Sequence, residues 1–343
     1  MKKFLIRKVF SIPLTFIGIT IILFSIINIL PSKTLATAYS SSDKEMTEEE
    51  ITEIIKKYDL DSSIIKRYYG WLKRVLKGEL GYSQTAKMSV VDALKTYLPA
   101  TVELTIFSII PIFFIGSFLG MKAARKKSTL TDRTITSISS FFYSIPSFII
   151  GIFLLLIFYG ILGIFEPGRY STQTDILISS MIFKKYTGFM IIDSILNLNF
   201  QVLFDSVKHI ILPALSIFLG TSAMFIKITR TSTLEELNKD YVRTLRAKGL
   251  REDYIIKKHI KKNILIPQLT VGGLQLIRLL GGVVITETIF DWPGIGSWGV
   301  KCALRLDITG VMGFAIVVSV LFLIGNLMID ILYSIVDPRI KYE

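Results

Sequence analysis

Residues 308–329 read ITGVMGFAIVVSVLFLIGNLMI and contain no charged side chain. At about 1.5 Å per helical residue, such a run can cross the roughly 30 Å hydrocarbon core of a bilayer. Residues 9–30 and 134–165 are equally free of charge. With 51% hydrophobic and 20% charged residues, the 343-residue chain is too apolar for a soluble globular protein. The sequence therefore predicts an all-α, polytopic membrane protein.

Hydropathy predicts six transmembrane helices. They lie at about residues 9–30, 99–121, 139–164, 210–229, 266–288 and 311–333. The first run is longer than the 7–15-residue apolar core of a signal peptide, so we expect it to be retained as a helix. Pro146 interrupts the third run, which we expect to begin below the membrane and to kink.

The predicted spans divide the chain into three parts. Residues 1–30 are the N-terminus and first span, residues 31–98 an extracytoplasmic helical segment, and residues 99–343 a five-helix transmembrane core with a cytoplasmic loop at 230–267. In the external segment, Thr47 with Glu50 forms a capping-box pattern, and Asp61 can cap a second, amphipathic helix. That helix could lie on the membrane surface or, as we favour, form a small external helical cap on the spans.

Basic residues predict the orientation. Residues 122–133 hold five Lys and Arg against one acidic residue, and residues 227–267 hold eleven against five. The positive-inside rule places both segments, with the basic N-terminus, in the cytoplasm, so both termini are expected inside the cell membrane. The formal net charge of +13 then mostly reflects this topology in the lipid bilayer, and no nucleic-acid partner is expected.

Several chemistries are excluded. The single cysteine, Cys302, forbids an internal disulfide, and two histidines without a cysteine partner do not make a zinc cluster. Residues 294–299 match G-x-G-x-x-G, but a membrane helix precedes them instead of a buried strand, so we interpret them as a glycine-bearing turn. No G-x-x-x-x-G-K-[ST] motif is present, so no cofactor is expected on this chain and any ATP must be bound by another subunit.

Ionisable groups inside membrane spans are candidate functional residues. Glu103 lies one turn into the second span, Arg278 near the middle of the fifth, Glu287 at its outer end and Asp330 near the inner end of the sixth. Arg278 could face a translocation path and meet a substrate carboxylate, or, as we favour, pair with a group between helices. We expect Glu287 to anchor the external turn, and Asn326 to act as polar contact between helices.

The loop at 230–267 is longer than a connection between two spans requires. Its simplest structure is a short helix, a turn at Gly249 and a second helix leading to Pro267. The small residues Ala247 and Gly249 would allow another backbone to approach closely. A solvated basic linker is the alternative interpretation.

A series of short motifs extends over nearly the whole chain. They are Gly78-Glu79-Leu80-Gly81-Tyr82-Ser83, Leu98-Pro99-Ala100-Thr101, Asp132-Arg133, Ser144-Ile145-Pro146-Ser147-Phe148, Thr187-Gly188-Phe189, His209 to Pro213, Asp240 to Leu250, Asn263 to Thr270, Glu287-Thr288-Ile289-Phe290, Trp292-Pro293-Gly294-Ile295-Gly296, Asp330 and Asp337-Pro338-Arg339. In order and spacing they resemble the permease subunit of the oligopeptide, dipeptide and nickel group of ABC importers.

The resemblance implies a heterodimeric permease that works by alternating access and performs no covalent chemistry itself. Its implied partners are a homologous second permease, one or two P-loop ATPase subunits that bind ATP and Mg, and an extracytoplasmic substrate-binding protein. The residues implied to couple to the ATPase are Arg246, Ala247, Lys248, Gly249 and Leu250. The general importer signature has Glu-Ala-Ala before the glycine, whereas residues 243–245 are Arg-Thr-Leu, so the contacts of that glutamate cannot be transferred.

The resemblance favours oligopeptides or dipeptides as cargo, with nickel chelates or oligosaccharides as alternatives for the same machinery. A stand-alone secondary transporter would not need the long cytoplasmic loop. A membrane-embedded enzyme would need a nucleophile with its base or a metal cluster within the spans, and neither His209 nor His259 has such company in the sequence.

Overall fold

The structure is a computed structural model that describes residues 2–38, 46–180, 182–281 and 283–336. Helices dominate it, as predicted. They are α1 (Lys2–Ile27), α2 (Ser32–Ala38), α3 (Glu48–Lys57), α4 (Ile64–Leu76), α5 (Val90–Arg125), α6 (Leu130–Ser144), α7 (Ser147–Leu155), α8 (Thr172–Ser179), α9 (Met190–Leu196), α10 (Phe200–Leu237), α11 (Asp240–Ala247), α12 (Glu252–Ile255), α13 (Lys261–Leu280), α14 (Val284–Ile289), α15 (Ile295–Leu304) and α16 (Ile308–Val336). Two π-helical segments, Leu156–Ile161 and Ile256–Ile260, extend α7 and precede α13.

Beside the helices, the described residues contain a small hairpin that was not predicted. Strands β1 (Tyr82–Ser83) and β2 (Met88–Ser89) pair antiparallel, with Tyr82 opposite Ser89. Two-residue strands leave no alternating apolar pattern for a sequence to show. β1 is the end of the motif that begins at Gly78, where a φ of +81° turns the chain after α4.

Four helices among the described residues are long and apolar enough to cross a membrane. They are Val90–Arg125, Phe200–Leu237, Glu252–Leu280 and Ile308–Leu332. The pair Leu130–Ser144 and Ser147–Ile161 makes a fifth span if it is counted as one. The chain is therefore a multi-pass membrane protein, and the predicted number of six stays a prediction because the apolar helix Ile12–Ile27 is shorter.

The third apolar run breaks at the predicted residue. The axes of α6 and α7 differ by 95°. Ile145 has an extended backbone conformation, which is what a following proline favours. The kink expected at Pro146 is thus confirmed.

Helices α5 and α10 form the centre of the bundle. Gly116 and Gly120 of α5 face Phe225 and Thr229 of α10, and a Cβ on Gly120 would lie 2.6 Å from Thr229 Cβ and 2.7 Å from the carbonyl oxygen of Ile226. This glycine pair, four residues apart, lets two membrane helices approach closely, which is how helices associate where water gives no hydrophobic driving force.

Two predicted boundaries differ from the structure. The fifth span, expected to reach residue 288, ends at Leu280, where Gly281 caps α13 and α14 then starts anew at Val284. Arg278 consequently lies in the last turn of α13 and not near the middle of a span. Much of the segment 230–267 is helical, because α10 continues through Leu237 and α13 begins at Lys261, and a helix leaving the bilayer keeps its internal hydrogen bonds.

The external segment packs on α1 and α16 through one face of α4. Trp71 is buried against Phe24, Met312 and Ile316. The capping box is confirmed, since Thr47 N–H donates to Glu50 Oε2 at 2.8 Å and Glu50 N–H donates to Thr47 Oγ1 at 3.3 Å. The Asp61 cap is wrong: α4 begins after Ser63, whose side chain makes no capping hydrogen bond.

Replacing Gly120 with alanine should separate α5 from α10. The added methyl group meets the backbone oxygen of Ile226, which cannot rotate away, so we expect a loss of about 1–3 kcal/mol. Gly18→Ala is the matched control, because nothing lies within 4 Å of a Cβ there. Apparent melting temperatures of the detergent-purified variants measure the difference, and equal values for both would contradict the proposed close packing.

Candidate functional site

The five residues implied to couple to an ATPase lie together at the end of α11 and in the turn after it. Arg246, Ala247, Lys248, Gly249 and Leu250 are all exposed. Gly249 has a φ of +79°, which L side chains rarely adopt, and nothing lies within 4 Å of a Cβ built on it. The structure thus presents an open turn with a glycine at its apex.

An ion pair closes this turn. Arg246 Nη2 donates to Glu252 Oε1 at 2.6 Å, and Arg246 Nε donates to Glu252 Oε2 at 3.1 Å. The hydrogen bond to Glu252 raises the pKa of the Arg246 guanidinium, so the pair stays charged. We call residues 240–252, from α11 to the start of α12, the coupling turn. The bidentate pair fixes both ends of the turn around Gly249.

The coupling turn stands on an apolar base. Val242, Ile255, Ile260 and Ile264 are completely buried there. The same cluster includes Leu237 at the end of α10, and Met121 of α5 packs against it. The turn is therefore attached to three long helices, α5, α10 and α13.

Polar contacts strengthen the base. Tyr241 Oη donates to Glu236 Oε2 at 2.6 Å, and Asn263 Nδ2 donates to the same oxygen at 2.9 Å. Burial and the hydrogen bond to Glu236 raise the pKa of Tyr241 to about 12, so this phenol remains a donor over the whole physiological range. Arg125, at the end of α5, forms an ion pair with Asp253 of α12.

The carboxylate of Asp132 joins α6 to α10. Asp132 is 4% exposed and accepts hydrogen bonds from Arg230 Nε at 2.7 Å and Arg230 Nη2 at 2.8 Å. Asp132 Oδ2 also accepts the backbone N–H of Ser128 at 2.9 Å. The motif Asp132-Arg133 indicated this position, but not its partner 98 residues away.

At the other end of the bundle, Glu287 lies completely buried. Its Oε1 accepts from Thr101 Oγ1 at 2.7 Å and its Oε2 from the backbone N–H of Ser297 at 2.8 Å. A Cβ on Gly294 would lie 2.3 Å from the Glu287 carboxylate. Trp292 Nε1 donates to the carbonyl oxygen of Ala100 at 2.9 Å. The glycine-bearing turn is therefore folded around this carboxylate, and Glu287 has no face left for a ligand.

Glu103 also forms an ion pair and a hydrogen bond inside the protein. It is 4% exposed, and its Oε2 accepts from Arg169 Nη2 at 2.6 Å while its Oε1 accepts the backbone N–H of Ile191 at 2.9 Å. Arg169 also donates to the carbonyl oxygen of Gly188 at 2.9 Å. The sequence analysis did not identify Arg169, which lies in a connection of balanced charge with no local pattern.

The remaining predicted site residues lie on the last two long helices and do not meet Glu103 or Glu287. Arg278 is exposed, and its side chain forms no ion pair or hydrogen bond with the residues that the structure describes. Asn326 Nδ2 donates to the carbonyl oxygen of Phe322 within its own helix at 2.9 Å. Asp330 is partly buried in α16.

Asp307, which the sequence analysis missed, fixes the hairpin to α16. Its Oδ2 accepts from Ser83 Oγ at 2.5 Å and from the backbone N–H of Thr85 at 3.0 Å, and its Oδ1 accepts the backbone N–H of Gly310 at 2.9 Å. Burial raises the pKa of Asp307, but these hydrogen bonds outweigh it, and the pKa lies below its ordinary value. Its position directly before the apolar run at Ile308 is a helix-capping signal that could have identified it.

Two family comparisons cover the chain. Residues 113–342 match the family described as binding-protein-dependent transport system inner membrane component. Residues 1–105 match the N-terminal part of such membrane components.

Curated relatives are similar along their whole length. The di/tripeptide transport system permease protein DppB of Pseudomonas aeruginosa is 35% identical, with 100% of both chains covered. The dipeptide transport system permease protein DppB of Escherichia coli K12 is 32% identical and the oligopeptide transport system permease protein AppB of Bacillus subtilis is 33% identical, each with 100% coverage of both chains.

Among solved structures, a chain of the MetNI methionine ABC transporter in an inward-facing conformation has the same fold. The TM-score is 0.50 at 15% identity, and the match covers 70% of this chain and 94% of that one.

Asp307→Asn should destabilise the end of the bundle opposite to the coupling turn by about 1–3 kcal/mol at neutral pH, because the amide cannot accept all of the hydrogen bonds. A lowered folded-state pKa means that the carboxylate stabilises the fold above the unfolded value of about 3.9 and loses this effect as the pH falls through the folded value. The gap in melting temperature between wild type and variant should therefore be full at pH 7 and shrink below about pH 3.9.

Asp240→Asn, at a side chain that is 93% exposed, is the control and should melt close to wild type at pH 7. A gap for Asp307→Asn that does not change with pH would contradict the role of the charged form.

Proposed function

We propose that this chain carries short peptides across the cell membrane. It belongs to the family of binding-protein-dependent transport system inner membrane components and is an ABC importer permease. The observation that supports the cargo is the full-length similarity to relatives named as di/tripeptide, dipeptide and oligopeptide permeases. Dipeptides and longer oligopeptides are both within this proposal.

The proposed topology has six spans. α1 would supply the first and the bent pair α6 and α7 the third, with both termini in the cytoplasm. The coupling turn then lies inside, and the hairpin, α4 and α15 lie outside, where α4 forms the external cap. The burial of Trp71 against α1 and α16 supports a cap that packs on the spans.

The translocation path is proposed to run beside α6. Ser137, Ser140, Ser144 and Ser147 form an exposed stripe on this helix and across its break at Pro146. A cavity of about 740 Å³ lies next to it, between α6 and α10, and Ser139, Ser140 and Arg230 line it. Hydroxyl groups in such a row suit an aqueous path better than lipid. Arg278 is proposed to face the same path, or the part of its wall that the second permease subunit would form.

Coupling is proposed to occur at the coupling turn. The exposed residues 246–250 would dock in a groove of the ATPase, and the apolar base would pass the motion to α5, α10 and α13. Arg243, which replaces the glutamate of the general signature, forms an ion pair with Asp240 at 3.1 Å. Both side chains of this pair are exposed.

The proposed partners are a homologous second permease, one or two P-loop ATPase subunits that bind ATP and Mg, and an extracytoplasmic substrate-binding protein. ATP hydrolysis would take place on the ATPase subunits. Alternating access would move cargo without covalent chemistry in this chain.

Deleting the gene for this chain should abolish uptake of radiolabelled trialanine in the native cell, and the wild-type chain should restore it. Nickel and oligosaccharide uptake measured in the same strains separates the alternatives. Unchanged trialanine uptake together with lost nickel uptake would overturn the peptide assignment. Transport by the purified chain alone in liposomes would instead favour a secondary carrier.

Gly249→Trp should detach the ATPase, because an indole cannot enter a close backbone contact. Gly249→Asn is the matched control, since asparagine tolerates a positive φ and adds little bulk. Affinity purification of the tagged chain, followed by mass spectrometry, should recover the second permease in both variants and the ATPase only with the asparagine variant. Normal recovery of the ATPase and normal uptake with Gly249→Trp would remove the docking proposal.

A further inference from the structure

A cleft of about 600 Å³ lies at the end of the bundle opposite to the coupling turn. Tyr97, near the start of α5, lines it, whereas Met121, near the end of α5, packs against the base of the coupling turn. Twenty-four residues of helix separate the two positions, or about 36 Å at 1.5 Å per residue. The cleft is therefore separate from the coupling turn.

One wall of the cleft is the connection between α7 and α8, and it is held at three places. Gly168 N–H donates to the carbonyl oxygen of Phe290 at 2.7 Å. Arg169 is paired with the buried Glu103, and Ser171 N–H donates to Asp205 Oδ2 at 2.8 Å. A connection fixed by α14, α5 and α10 forms a pre-organised wall, which lowers the entropy cost of binding.

The opposite wall is α15 with the start of α5. Trp298 and Tyr97 stack with ring centroids 5.7 Å apart and an interplanar angle of 11°. Trp298 is 1% exposed, and its indole Nε1 has no acceptor among the residues that the structure describes. Ser297 N–H is tied to Glu287 at 2.8 Å, so this wall is also rigid.

Charges of both signs line the cleft. Lys301 and Arg305 lie one helical turn apart at the end of α15, and Asp291 and Asp175 are on other segments. All four side chains are exposed. Lys301, Arg305 and Asp291 form no ion pair with any residue that the structure describes. Arg169 and Glu103 neutralise each other, so two cationic and two anionic groups remain.

A ligand that carries only positive or only negative charge would face two groups of its own sign in the cleft. Like charges across an interface are disfavoured. A zwitterion with a carboxylate at one end and an ammonium at the other satisfies both pairs. An extended tripeptide has this charge distribution over about 10 Å. The volume lies within the range of small-ligand sites, and aromatic walls with a few polar groups are typical of such sites.

We propose that this cleft is an external receiving site for peptides, with the terminal carboxylate on Lys301 and Arg305 and the terminal ammonium on Asp291 and Asp175. The proposal rests on the proposed function, because it names the chemistry by which the same permease would recognise its cargo. The permease itself would then contact the peptide, in addition to any selection of cargo by a binding protein.

The test uses the whole transporter in nanodiscs, without binding protein, and saturation-transfer difference NMR, which detects weak ligands. Trialanine, trialanine amide and N-acetyltrialanine are the probes. We expect trialanine to bind and each blocked peptide to bind about ten-fold more weakly, since each lacks one charge-assisted contact. Lys301→Gln with Arg305→Gln should weaken trialanine about ten-fold and leave trialanine amide unchanged.

Lys184→Gln with Lys185→Gln is the matched control, because both lysines are exposed in the connection between α8 and α9 and neither lines the cleft. Equal binding of all three peptides, or no effect of the Lys301 and Arg305 changes, would overturn the receiving site. The receiving site would also be overturned if the variant with Lys301→Gln and Arg305→Gln binds trialanine normally but its ATPase activity is no longer stimulated by the binding protein. That result would assign the cleft to protein docking. If cells still take up trialanine normally when one of these results is obtained, the proposed function stands. Failure of the receiving site can therefore be distinguished from failure of the proposed function.

Discussion

Buried carboxylates that accept backbone N–H groups hold this structure together. A bilayer supplies no water to a broken helix, so each freed backbone group needs a partner within the protein. In this chain acidic side chains supply several of these partners at the connections between helices. The pairs are Glu103 with Ile191, Asp132 with Ser128, Asp193 with Gly188, Glu287 with Ser297 and Asp307 with Gly310. The irregular segments are thereby hydrogen-bonded to the helices that they join.

This arrangement gives the bundle two rigid ends. At one end the coupling turn rests on the ends of α5 and α10 and the start of α13, and at the other end α14, α15 and the hairpin are bonded to the starts of α5 and α16. Since packed interfaces switch between discrete arrangements and do not deform continuously, motion of the coupling turn would be carried to the outer end by whole helices. α5, at 36 residues, contacts both ends.

Local chemistry was predictable from the sequence, and distant pairing was not. Charge-free runs identified the long helices, Pro146 identified the break and Thr47 with Glu50 identified a helix start, because each signal lies within a few residues of its effect. Arg169 was missed because Glu103 lies 66 residues away from it. Asp307 had a local capping signal, but its hydrogen bond to Ser83, 224 residues away, could not be predicted. The exact ends of α10 and α13 were missed for another reason: hydropathy reports where the lipid ends, whereas a helix continues as long as its own hydrogen bonds do.

The surface of the bundle indicates that the chain is one part of a larger unit. α10 is its interior helix, with 61% of its apolar window buried, against 28–33% for the other long helices. Most of the exposed residues on those helices are apolar and suit lipid, but the serine stripe of α6 and the Arg278 side chain of α13 do not. Both α6 and α13 pack on α10, so these polar features flank the same central helix. Because an isolated charge is expensive beside lipid, we expect a second protein surface or an aqueous path to cover them.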